Sequence, residues 1–65
     1  MRIEIKESHK GRFYWVLRDE ANKIKGLQVF PFCEYERECL TDACKTFEGS
    51  GYPVYSTRGV KVDVA

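Results

Sequence analysis

The chain has one histidine, one methionine and one tryptophan among 65 residues, and no motif puts any of them to chemical use. G-x-S-x-G, a phosphate-cradling glycine loop and H-E-x-x-H are all missing. Nucleophilic catalysis needs a thiol or hydroxyl beside a positioned base. The only histidine, His9, stands in the polar stretch Glu7-Ser8-His9-Lys10, which reads as an exposed loop. No enzyme is expected, and no cofactor. Cysteine is sparse and odd in number. Cys33, Cys39 and Cys44 are separated by five and four residues, not by the short paired gaps that bring two thiolates onto one zinc ion. An odd count also argues against the disulfide framework of a small secreted domain, so reduced thiols in a cytoplasmic protein are expected. No apolar run approaches the roughly 20 residues of a membrane-spanning helix, and no apolar leader precedes the body of the chain. A net charge of +1 exerts no global pull toward nucleic acid or membrane.

What remains is a compact, ordinary composition. Hydrophobic content of 43% and charged content of 32% suit a globular protein rather than a disordered one. The length allows one domain, residues 1–65, with a small core and no room for a deep cavity. Opening on Met1, the chain reads as a small self-contained gene product. Charge is segregated along it. Residues 1–32 carry seven Lys/Arg against four Asp/Glu, residues 33–48 two against five, and residues 49–65 two against one. An acidic block thus lies between two basic ones.

The densest apolar volume is Arg12-Phe13-Tyr14-Trp15-Val16-Leu17-Arg18. Aromatic and β-branched residues favour a pleated strand, and a period of two puts Phe13, Trp15 and Leu17 on one face, Tyr14 and Val16 on the other. This is expected to be a central strand with its bulkier face toward the core. Before it, Met1–Lys6 alternates, with Ile3 and Ile5 inward. After it, Asp19–Lys23 reads as a turn in which Asn22 takes the left-handed conformation. Ile24–Phe30 is a third strand, with a bulge near Gly26 and closed by Pro31. From Glu34 to Phe47 the period lengthens to that of a helix. Leu40, Ala43, Cys44 and Phe47 form its apolar stripe, so Cys44 is expected to pack as a small hydrophobe. Its N-cap is weak, with Cys33 or Glu34 where Ser, Thr or Asp would serve. Gly49-Ser50-Gly51 stops it. Tyr52–Tyr55 reads as a loop or, because of Pro53, an edge strand. Val60–Val64 reads as a last strand with Val60, Val62 and Val64 inward. The expected fold is α+β: a mostly antiparallel β-meander of three to five strands with one helix packed on one face, in the order β-β-β-α-β.

The segments Ile3-Glu4-Ile5, Phe13-Tyr14-Trp15-Val16-Leu17-Arg18, Ala21-Asn22-Lys23 and Ala43-Cys44 resemble the pattern of YegP-like small domains over residues 2–47. Lys23 replaces the usual turn glycine, and the helix lacks a serine cap. The resemblance implies a fold and association of such units, with no activity to transfer.

Two surfaces are candidates for function. Glu34, Glu38 and Asp42 follow at i, i+4 and i+8, about 6 Å apart along a helix. Like charges at that spacing disfavour the helix, and the stripe imitates successive phosphates. With Tyr35, Tyr52 and Tyr55 as aromatic anchors, it suits a protein partner, such as the basic nucleic-acid-binding surface of a host complex. The leading expectation is therefore a non-enzymatic inhibitor of the kind phages and mobile elements use, an anti-CRISPR or anti-restriction DNA mimic. The alternative is nucleic-acid binding through a basic, aromatic sheet face of Arg2, Lys6, Arg12, Tyr14, Arg18 and Lys61, with Glu4 and Asp63 sharing it. A YegP-like housekeeping role is a third reading. No membrane partner is expected, and the chain is a monomer or a homodimer through a free edge strand.

Overall fold

The computed structural model describes residues 1–28 and 32–62. Among these described residues, five strands and one helix follow in the order β1 (Arg2–Glu7), β2 (Phe13–Arg18), β3 (Ile24–Leu27), α1 (Glu36–Thr46), β4 (Val54–Tyr55) and β5 (Lys61–Val62). They form one sheet in the spatial order β3-β2-β1-β4-β5. The α+β class is as the sequence implies, and the expected β-β-β-α-β order is extended by one further short strand, β5. β1 and β2 form a hairpin in full register from Arg2↔Arg18 to Glu7↔Phe13. β3 adds antiparallel to β2, with a register shift between Leu17 and Arg18 that is the expected bulge beside Gly26. Asn22 takes a φ of 66° in the turn between them, where a short amide side chain tolerates the left-handed region.

One pair departs from the antiparallel scheme. β4 lies parallel to β1, with Ile3↔Val54 and Glu4↔Tyr55. Parallel neighbours need a long crossover, and α1 supplies it, carrying the chain from the β3 edge over the sheet to the far side of β1. β1, not the aromatic β2, is therefore the middle strand. β4 is not at an edge either, since β5 pairs antiparallel on its outer side. Pro53 is accommodated because the ladder uses only its carbonyl, which accepts from the Ile3 N–H at 2.9 Å.

Residues paired across a ladder share a face, so the register sorts the side chains. Ile3, Ile5, Phe13, Trp15, Leu17, Val54 and Val62 lie toward the helix. The fully enclosed core is small: Ile3, Ile5, Cys39, Ala43 and Val54, flanked by Phe13, Trp15, Leu17, Cys33, Leu40, Phe47 and Tyr52. Phe47 meets the Trp15 ring edge-on at a centroid distance of 4.9 Å. Val60 is 62% exposed rather than inward. Val29, Phe30, Asp63 and Val64, placed in strands by their alternation, lie outside the described residues.

The helix starts later than expected. Tyr35 occupies the N-cap in an extended conformation without a side-chain cap bond, so Glu34 precedes the helix. The buried helical positions are Cys39 and Ala43. Cys44, expected on the stripe, is only half-buried while Cys39 is enclosed. The reason is geometric: Cys39, Ala43 and Phe47 recur every four residues and define the inward line. Among the described residues no helix is long and apolar enough to cross a membrane.

Candidate anion-binding sheet face

The face of the sheet away from α1 carries Arg2, Glu4 and Lys6 from β1, Tyr14, Val16 and Arg18 from β2, Leu27 from β3, Tyr55 from β4 and Lys61 from β5. Strand alternation alone produces this set. Its centre is Glu4. The carboxylate accepts from Arg2 Nε at 2.9 Å and Arg18 Nε at 2.8 Å, with Lys6 Nζ at 3.5 Å. Burial would raise the Glu4 carboxyl, but the hydrogen bonds from Arg2 and Arg18 and the charges of Lys6 and Arg2 hold it below its ordinary value. Among the described residues, three cations thus gather around this one carboxylate.

The cations differ in how much bonding capacity they retain. Arg2 also donates to the Asp19 carbonyl at 3.4 Å and to Asn22 Oδ1. Arg18 Nη1 donates to the Asn22 carbonyl at 3.0 Å. Both guanidiniums therefore tie β1 and β2 to the 19–22 turn. Arg12 is occupied by Glu34, at 2.9 Å between Nη1 and Oε1. Lys6 keeps the longest and most exposed of the Glu4 contacts.

Sequence reasoning missed Arg58. It lies in the β4–β5 turn, which borders this face, and Arg2, Glu4, Lys6, Tyr55, Ser56, Thr57, Arg58 and Gly59 line a shallow concavity of about 530 Å³. The sequence Ser56-Thr57-Arg58-Gly59 announces a turn, and Gly59 meets the need for a φ of +77°. That this turn adjoins β1 follows only from the parallel pairing of β4 with β1.

The aromatics are spread across the fold. Tyr14 stacks on Phe32 at a centroid distance of 4.8 Å. Tyr55 is half-buried between Glu4 and Lys61. At a strand spacing of about 4.8 Å and a two-residue offset, Tyr14 and Tyr55 stand roughly 12 Å apart on one surface. Tyr52 instead packs toward the core, 6.2 Å from Phe47. Tyr35 is 58% exposed at the helix start. The three tyrosines expected as one anchor group are thus on three different surfaces.

The acidic stripe does not assemble as a three-residue row. With Glu34 off the helix and paired to Arg12, Glu38 and Asp42 remain. They share a surface with Arg37, Thr41 and Lys45, and Asp42 accepts from the Trp15 indole N–H at 3.1 Å. Glu36, which the stripe did not include, accepts from both the N–H and the hydroxyl of Thr57.

The thiols do not form a metal-like cluster. Cys39 donates to Gln28 Oε1 at 3.5 Å, and Gln28 Nε2 donates to Cys33 Sγ at 3.7 Å. Burial, reinforced by the neighbouring Cys33, pushes the Cys39 thiol up to about 12, so it is inert at neutral pH. No group of three or more metal-ligating side chains converges among the described residues. His9 is exposed in the β1–β2 loop. Comparison with protein-family models, with curated proteins and with solved structures finds no match to this chain.

Proposed function

We propose that the chain is a non-enzymatic binding protein whose working surface is the open face of the sheet and whose ligand is single-stranded nucleic acid. The observation that carries this reading is the gathering of Arg2, Lys6 and Arg18 around the single carboxylate of Glu4, beside Tyr55, Lys61 and Arg58. Excess positive charge attracts phosphates, and flat aromatic side chains on a sheet accept unstacked bases whatever their sequence. A duplex hides those bases, so a single strand makes better use of the surface.

The test is fluorescence anisotropy with single- and double-stranded oligonucleotides between 50 and 200 mM salt. With three or four phosphate contacts, single-strand affinity falls about twenty- to fifty-fold over that range. Equal binding of duplex, or binding indifferent to salt, counts against the reading.

The inhibitor reading keeps one specific support. Glu38 and Asp42 lie one turn apart on an exposed helical surface, near the exposed Tyr35. In that reading a basic protein partner docks there, and pull-down from host lysate with Glu38→Lys/Asp42→Lys beside the wild type tests it. Capture of one defined nucleic-acid-binding complex that the variant loses would move the working surface from sheet to helix.

A further inference from the structure

We infer that the concavity between β1 and the β4–β5 turn is the phosphate locus of the open face, with Lys6 and Arg58 as its two cationic arms and Tyr55 as the adjoining stacking platform. This rests on the nucleic-acid reading above and specifies where, on a broad surface, the backbone is held.

Three observations converge on it. The concavity is a pocketed part of the open face, and its volume of about 530 Å³ falls in the range of small-ligand sites. A nucleotide fits where a flat sheet would offer only grazing contact.

Its outer wall is pre-organised. Ser56 and Val60 close the turn through Ser56 N–H to the Val60 carbonyl at 2.9 Å, and Gly59 N–H returns to the Ser56 carbonyl at 2.9 Å. The Ser56 hydroxyl accepts from Arg58 N–H at 3.3 Å and from Val60 N–H at 3.4 Å. Thr57 is clasped by Glu36 from the start of the helix. A turn fixed at both its base and its tip spends little ordering entropy when a ligand arrives.

Bonding capacity then selects the residues. Arg2 and Arg18 are committed to Glu4 and the 19–22 turn, so they shape the electrostatic field without being free to turn toward a ligand. Lys6 makes one long contact, and no acceptor holds the Arg58 side chain among the described residues. Both line the cavity, Lys6 from β1 and Arg58 from the β4–β5 turn. A phosphodiester between them gains two charge-assisted contacts, and its neighbouring base reaches Tyr55 on the cavity floor. Glu4, also on the floor, is masked by its three cations. The strand then leaves across the sheet toward Tyr14, a distance that two or three nucleotides cover.

The decisive experiment titrates 15N-labelled protein with an oligothymidylate and with inorganic phosphate, and compares wild type, Lys6→Gln/Arg58→Gln and Lys45→Gln. Lys45 is a cation on the helix, away from the sheet face, and serves as the charge control. Expected are amide shifts at Lys6, Tyr55, Thr57, Arg58 and Gly59, and a ten- to thirty-fold weaker oligonucleotide affinity in the double variant. Losing two contacts also lowers the salt slope by about 1.4. Lys45→Gln binds as wild type. Phosphate alone shifts the same amides without Tyr55. If oligonucleotide shifts fall on Arg18, Tyr14 and Phe32 and spare the turn, the locus is wrong while the sheet-face reading stands. Equal weakening of the two variants overturns the locus in the same way. If the wild type binds no oligonucleotide even at 50 mM salt, the sheet-face reading itself falls.

Discussion

Replacing Glu4 by glutamine removes the one anion that holds three cations together. The carboxylate is 20% exposed, with contacts of 2.8, 2.9 and 3.5 Å. Charged hydrogen bonds contribute about 1.5–3 kcal/mol each when enclosed and exposed pairs about 0.2–1 kcal/mol. Glu4 lies between these limits, and glutamine retains one carbonyl acceptor. The net loss is therefore roughly 2 kcal/mol. A domain of this length has a total stability of roughly 3–10 kcal/mol, and at about 4–8 °C per kcal/mol the midpoint drops by roughly 8–16 °C. Circular dichroism melts at pH 7 measure it. The acid arm provides an internal check. Because the folded carboxyl sits below its unfolded value of 4.5, its stabilisation is present above that value and lost as pH falls through the folded one. The Glu4→Gln protein should lack this part of the acid destabilisation. Oligonucleotide affinity should move the other way and rise, since the face gains a net positive charge. A midpoint within two or three degrees of wild type, with an unchanged acid arm, would refute the view that Glu4 organises this face.

Ile5, fully enclosed between sheet and helix, should lose about 2–5 kcal/mol on truncation to alanine, enough in so small a core to leave much of the protein unfolded in urea titrations. Gly26→Ala should be neutral or stabilise by about 0.5 kcal/mol, because an added Cβ meets Leu17 Cβ at 3.4 Å and Trp15 at 3.8 Å, ordinary contact distances; a clear loss of stability contradicts this. The Cys39 thiol titrates at about 12 folded against 9.0 unfolded. Its contribution is intact below pH 9 and declines as pH rises toward 12. Chemical denaturation at pH 8 and pH 10 should therefore show a wild-type loss that Cys39→Ala does not share.

Local pattern makes most of the fold legible. Alternation in Arg2–Glu7 and Phe13–Arg18 places Ile3, Ile5, Trp15 and Leu17 on the helix side, where the register puts them. The bulge at Gly26 and the left-handed Asn22 are equally local signals. What escapes a local pattern depends on partners distant in sequence. Val16 alternates onto the open face, yet it is only 2% exposed, flanked in the ladders by Glu4 and Leu27. Period counting cannot anticipate how thickly a face is covered. Glu34 fits a helix by its spacing to Glu38, but its carboxylate pairs with Arg12 and the backbone turns in only after Tyr35. Cys39 rather than Cys44 is the enclosed thiol, because the sheet beneath decides which line along the helix faces in. For the site, alternation singles out Lys6, whereas Tyr55 is expected beside the acidic helix and reaches the sheet face only through the pairing of β4 with β1. Arg58 has no such signal, since its position depends on a strand pairing that spans most of the chain.

That pairing has a consequence for assembly. The β1–β2–β3 ladders join residues close in sequence, whereas Ile3↔Val54 closes a loop of about fifty residues, the kind of contact whose chain-entropy cost is met late in folding. β4 and β5 are only two residues long each, so they contribute few ladder bonds of their own. By contact range the meander is expected to form before the cavity wall, which waits on the pairing of β4 with β1. A chain halted before Val54 has the cationic strand and no concavity. Conversely, a ligand gripped between Lys6 and Arg58 would act as a latch on this long-range pairing, and amide exchange in β4 and β5 would slow before that in β1–β3 changes.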